Sequence, residues 1–174
     1  MKRFLVVVDM QKDFVDGSLG SKEAVAIVPA AAEKIRSFDG DIFVTFDTHF
    51  EDYLDTPEGK KLPVPHCVKG TPGHALDEEV AAALAEKEWT GVEKYTFGAV
   101  NLPALIANAA GKEPFSVELI GLCTDICVIS NALLLKAEFP EEHVAVDKNC
   151  CAGVTPALHE AALAVMRSCQ IDVE

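Results

Sequence analysis

Four short apolar runs, each ending on a polar or reactive residue, constrain this chain more than any other feature. Phe4–Val8 leads into Asp9, Ile42–Phe46 into Asp47, Val117–Leu122 into Cys123, and His143–Val146 into Asp147. Runs of this length, apolar on both faces, suit strands buried between two layers of a parallel sheet. Weaker strands are expected at Trp89–Val92 and, at an edge, Ile171–Val173. Segments with helical spacing lie between them: Glu23–Phe38, Leu76–Lys87, Leu102–Ala110, Asp125–Phe139 and Thr155–Ser168. The last opens on Thr155-Pro156, a capping hydroxyl followed by a first-turn proline. Strand and helix in alternation predict the α/β class: a three-layer α/β/α sandwich around a mostly parallel, roughly six-stranded sheet. No linker, repeat or low-complexity block interrupts the 174 residues, so 1–174 reads as one domain.

Charge and cysteine usage narrow the function classes. Asp plus Glu number 28 against 15 Lys plus Arg, a net charge of -13 that repels phosphate backbones and argues against a nucleic-acid partner. The longest apolar runs fall well short of the roughly 20 residues of a membrane span. Lys2 and Arg3 precede an apolar run that ends at Asp9 without a cleavage signal, so a cytoplasmic location is expected. In that reducing setting the six cysteines read as free thiols. None forms a Cys-x-x-Cys pair, which disfavours a zinc ribbon.

Ligands of open parallel sheets bind beyond the carboxyl ends of the strands. That rule collects Asp9, Asp47 with His49, Lys94, and Cys123 to Cys127 on one rim. Cys127 falls in the first turn of a helix, where free N–H groups and the helix dipole favour a thiolate and could hold an oxyanion. The alternative is a small buried apolar residue. A partly desolvated Asp9 suits general acid/base work, whereas Asp13 reads as a turn cap. Lys94 would stabilise both anions if it lay beside them, and otherwise reads as a surface lysine. Asp47-Thr48-His49 puts a carboxylate and an imidazole on one side of an extended segment, and His66 follows the rigid Pro63-Val64-Pro65. Glu58 could complete the set, with Glu51 and Asp52 as rivals. Such donors suit Zn²⁺, Mn²⁺ or Fe²⁺ better than Mg²⁺. His74, His143 and His159 read as structural. No Gly-x-Gly-x-x-Gly follows the first strand, which disfavours a dinucleotide site.

Taken together, these residues resemble a known family. Val7-Val8-Asp9-Met10-Gln11-x-Asp13-Phe14 is similar to the opening motif of the isochorismatase-like cysteine hydrolases. Asp47-x-His49, Pro65-His66-Cys67-Val68-x-Gly70-Thr71-Pro72-Gly73, Lys94 and Gly121-x-x-Thr124-Asp125-x-Cys127-Val128 follow in the family's order. Asp147-x-x-Cys150 and Thr155-Pro156-x-x-His159 resemble its last stretch. The likeness covers the whole chain and is strongest to the nicotinamidase branch. It implies a flavodoxin-like sandwich, an Asp9–Lys94–Cys127 triad, a cis Leu122–Cys123 peptide, and an oxyanion hole from the N–H groups of Cys123 and Cys127. It also implies a divalent metal, zinc foremost, on Asp47, His49, Glu58 and His66. Phe14, Leu19, Tyr95 and Phe97 would contact a small-molecule amide. The implied reaction takes nicotinamide to nicotinate and ammonia, in NAD salvage, within a homo-oligomer. Nicotinamidases often carry a tryptophan shortly before the second histidine; here Lys61-Leu62-Pro63-Val64-Pro65 has no aromatic residue. That departure keeps open another small amide, a carbamoyl compound or a vinyl ether. A thiol-based redox role without hydrolysis is the reading furthest from this one.

Overall fold

The apolar runs become the strands of one sheet. The computed structural model describes residues 1–174. Its strands are β1 (Lys2–Val8), β2 (Asp41–Asp47), β3 (Trp89–Lys94), β4 (Phe115–Leu122), β5 (His143–Ala152) and β6 (Asp172–Val173). They lie in the order β3-β2-β1-β4-β5-β6, with every neighbouring pair parallel. Without the outer β3 this is the flavodoxin-like arrangement. Side chains alternate along β1: Phe4, Val6 and Val8 enter one core and Leu5 and Val7 the other. The first core packs against α5 (Leu102–Ala110), α6 (Ile129–Glu138) and α7 (Pro156–Ser168). The second packs against α2 (Lys22–Ser37) and α4 (Glu78–Leu84). Short helices α1 (Lys12–Val15) and α3 (Pro57–Lys61) lie in the loops above the sheet. The sandwich expected from the alternation is therefore the one observed. No helix is long and apolar enough to cross a membrane.

Local departures have local causes. α4 begins only at Glu78, because the Asp77 side chain accepts from the Glu79 and Val80 N–H groups and caps the helix there. β5 runs on to Ala152 although Lys148 and Asn149 interrupt its apolar pattern, and its register against β4 shifts between Leu119 and Gly121. Such bulges absorb extra residues without ending a strand. Asp147 therefore lies within a strand and binds Lys34 at 2.9 Å; Lys34 also meets Glu118 at 2.7 Å. The helix expected from Asp125 opens instead as a π-turn, Thr124–Val128, in which the Val128 N–H donates to the Cys123 carbonyl at 3.1 Å.

Strand order reverses about the β1–β4 pair, which opens a crevice at their carboxyl ends. Asp9 follows β1 with φ 48°, and Cys123 follows β4. A Cβ at Gly121 (φ 118°) would sit 2.1 Å from the Val8 carbonyl oxygen. Glycine is therefore what lets these two strand ends approach.

Candidate active site

The ends of β1, β3 and β4 bring three side chains together. Lys94 Nζ lies 2.7 Å from Asp9 Oδ2 and 3.4 Å from Cys127 Sγ. It also donates to Asp47 Oδ1 at 3.1 Å and to the Thr96 carbonyl at 3.0 Å. All of Asp9, Lys94 and Cys127 are buried, so Lys94 is no surface lysine. Thr45 Oγ1 donates to Asp9 Oδ1 at 2.6 Å, which fixes the carboxylate plane. Asp9 Oδ2 has the Lys94 charge beside it but no well-directed hydrogen bond, so it can still take a proton.

Electrostatics decide who holds the protons. Burial raises Asp9 above the ordinary carboxylate range, with Lys94 opposing. Burial, and then the Asp9 charge, push the Cys127 thiol well above its ordinary value, again against Lys94. Desolvation thus works against the local dipole and the lysine, which favour the thiolate. Burial works against the charge on Lys94, but Asp9, Cys127 and Asp47 outweigh it and raise its pKa. Lys94 is thereby held cationic beside Asp9 and Cys127, the two groups whose burial favours their protonated forms.

The Leu122–Cys123 peptide is cis. The Cys123 N–H donates to no protein acceptor. It is therefore free to donate to a ligand atom held near Cys127, which follows in the same turn.

Asp47 joins this triad to a second cluster. Its Oδ2 lies 3.0 Å from His49 Nε2 and 3.5 Å from His66 Nε2, while its Oδ1 holds Lys94. Glu58 Oε1 lies 3.8 Å from both imidazoles. The rivals Glu51 and Asp52 are exposed. Asp47, His49 and His66 each place one ligand atom within 4.8 Å of the others, a grouping that could hold one divalent cation, and Glu58 stands beside it. His66 Nδ1 donates to the Val64 carbonyl at 2.8 Å, which turns its Nε2 lone pair into the cluster. Burial raises Asp47, but His49, His66 and Lys94 outweigh it and hold the carboxylate ionised. Burial works against a proton on His66, yet Asp47 and the Val64 carbonyl prevail and raise its pKa.

Two supports escaped the sequence reading. Gln11, wholly buried, donates to the carbonyls of Asp47 and His74, each at 2.9 Å, and accepts from the Asp47 N–H at 2.8 Å. Asn131, also buried, accepts from the Ala99 N–H at 2.8 Å and donates to the carbonyls of Cys127 (2.8 Å) and Phe97 (3.3 Å). Buried amides without an obvious local partner were the available signal. Asp13 is the turn anchor expected, but it also accepts from the Cys67 N–H at 2.8 Å, thereby holding the His66 loop. His74, His143 and His159 pair with Thr48, Asp172 and Thr124, outside the cluster.

A cavity of about 50 Å³ lies over the sulfur, lined by Phe14, Leu19, Leu62, Phe97, Ile126 and the site residues. It has room for about four waters, which suits one ring bearing a short substituent. Of the expected contacts, Phe14, Leu19 and Phe97 line it; Tyr95 does not. Tyr95 stands on the wall of an outer vestibule, stacked on Phe50 with ring centroids 6.0 Å apart. Leu62 supplies an aliphatic wall within the segment that lacks an aromatic.

Comparison with known proteins gives a consistent picture. The model of the isochorismatase domain family matches residues 3–174. The nicotinamidase/pyrazinamidase of Mycobacterium tuberculosis is 28% identical, over 98% of this chain and 97% of that protein. The pyrazinamidase/nicotinamidase structure from Streptococcus mutans superposes with a TM-score of 0.85 at 26% identity, over 99% of this chain and 100% of that one. The pyrazinamidase of Pyrococcus horikoshii, in complex with zinc, gives a TM-score of 0.79 at 26% identity, over 100% and 99%.

Proposed function

This chain belongs to the isochorismatase domain family and is an amide-bond hydrolase within it, and from that premise we propose that it converts nicotinamide to nicotinate and ammonia through a thioester on Cys127. One observation carries the reading: a buried lysine stands 2.7 Å from a carboxylate and 3.4 Å from a thiol on the floor of a cavity sized for one small ring.

The chemistry follows from that grouping. Asp9 takes the Cys127 proton as the sulfur attacks the amide carbon, and Lys94 offsets the charge that moves between them. The Cys123 and Cys127 N–H groups hold the oxyanion. Asp9 then delivers its proton to the amide nitrogen, which leaves as ammonia. Water attacks the thioester while Asp9 accepts a proton from it. Collapse expels the Cys127 sulfur, which recovers that proton, and releases the acid. Asp47, His49, His66 and Glu58 would hold a divalent metal, zinc being the ion in the Pyrococcus horikoshii structure, and such an ion would supply Lewis-acid polarisation. Phe14 and Phe97 clasp the ring faces in place of the missing tryptophan. The same reading takes the enzyme to be a cytoplasmic homo-oligomer in NAD salvage. Ammonia release from nicotinamide by the zinc-loaded protein, lost in Cys127→Ala, is the test. A zinc-loaded protein that releases none from nicotinamide or a panel of related amides refutes the reading.

A further inference from the structure

Outside the small cavity lies a vestibule of about 820 Å³, far larger than nicotinamide requires. The two spaces share four wall residues: Glu58, Leu62, Phe97 and Ile126. Glu58 belongs to the donor cluster and Ile126 is held in the π-turn. Leu62 and Phe97 differ from them. Their side chains face both spaces and remain 38% and 44% exposed. Their backbones do not share that freedom. Tyr53 Oη donates to the Leu62 carbonyl at 2.8 Å, and the Leu62 N–H donates to the Glu58 carbonyl at 2.8 Å. Asn131 ties the Phe97 carbonyl to the turn that carries Cys127. The boundary between the two spaces therefore includes two half-exposed side chains on anchored backbones, and rotation of such side chains is a fast motion.

The vestibule is chemically unlike the inner cavity. Thr56, Lys61, Thr96 and Ser130 offer hydrogen-bonding groups, Asp125 adds an acid, and Tyr95 gives an aromatic wall. We infer that Leu62 and Phe97 form a door whose bulk sets the substrate range, and that the vestibule is a second subsite for a neutral, hydrogen-bonding substituent on the ring of the amide. This rests on the amide-hydrolase reading, yet the binding behaviour it requires is separable from turnover.

The experiment compares nicotinamide with nicotinamides bearing a hydroxymethyl or an ethyl group at each free ring carbon. Turnover is measured for wild type, Leu62→Ala and Leu62→Trp, all zinc-loaded. Affinity for the same compounds is measured by calorimetry in Cys127→Ala, alone and combined with each Leu62 change. Removing the Leu62 side chain should raise the ratio of hydroxymethyl compound to nicotinamide by about tenfold for at least one ring position, and the tryptophan should lower it. At that position hydroxymethyl should exceed ethyl. An unmoved ratio, or ethyl equal to hydroxymethyl, with nicotinamide still hydrolysed, overturns the door and subsite and leaves the amidase reading intact. A Leu62-dependent affinity ratio without turnover upholds the subsite and overturns that reading. Neither turnover nor binding of any compound overturns both.

Discussion

Replacing Gln11 with leucine removes an amide that acts as a strand-like neighbour to Asp47. Three hydrogen bonds vanish: those to the carbonyls of Asp47 and His74 and that from the Asp47 N–H. Gln11 is 0% exposed, so water cannot substitute without rearrangement. A buried group left unpaired costs about 1–3 kcal/mol, so the three together should cost roughly 3–9 kcal/mol. That is much of the roughly 5–15 kcal/mol that holds a domain folded. Urea unfolding of the metal-free proteins reads it. Asp47 would also lose its fixed orientation toward His49 and His66, and loss of such supports weakens metal binding about 10- to 100-fold. Zinc titration reads that second effect. Gln11→Glu separates the two donors from the acceptor: it keeps an oxygen for the Asp47 N–H but turns a carboxylate oxygen onto two carbonyls, and should rescue neither property. A Gln11→Leu protein within about 1 kcal/mol of wild type, with unchanged zinc affinity, would refute the clamp.

Adding zinc at about 1,000 times its dissociation constant should stabilise the native state by about 4 kcal/mol, raising the melting temperature; His66→Ala should abolish that rise. Asn131→Ala should lower kcat/KM and also cost about 2–3 kcal/mol, since Ala99 N–H and the Cys127 and Phe97 carbonyls lose their common partner; unfolding and steady-state kinetics together check this. Lys34→Met should destabilise by about 2 kcal/mol, because Glu118 and Asp147 lose their counter-ion at a half-screened site. Burial opposes the Asp147 charge, but Lys34 and the Asn149 N–H outweigh it and depress the folded pKa below the ordinary 3.8. The stability Asp147 contributes is then complete above that ordinary value and is lost as pH falls toward the folded one. Asp147→Asn should therefore be weaker than wild type at neutral pH and approach it in acid-unfolding curves as the pH falls below the ordinary 3.8.

Much of this was written in local pattern. The continuous apolar run Phe4–Val8 must be buried on both faces and the period-3.6 spacing along Glu23–Phe38 on one, and their alternation leaves a parallel sandwich as the way to bury them. The rule of strand ends then picks out Asp9, Asp47, Lys94 and Cys127 without coordinates. What local pattern cannot carry is distance between segments far apart in the chain. That Glu58 rather than Glu51 or Asp52 faces the histidines depends on how the loop through α3 folds back. That Gln11 grips Asp47, 36 residues on, depends on β1 and β2 lying side by side. Dipole and lysine beside Cys127 are visible in sequence, whereas the burial that pushes its thiol upward is a property of everything packed around the sulfur. Sequence determined the fold and which residues reach the rim, since both follow from burying apolar faces. Only the tertiary structure decided which of those residues touch, how deeply each is buried, and how large a ligand can enter, because these depend on through-space separations and on the water excluded between them.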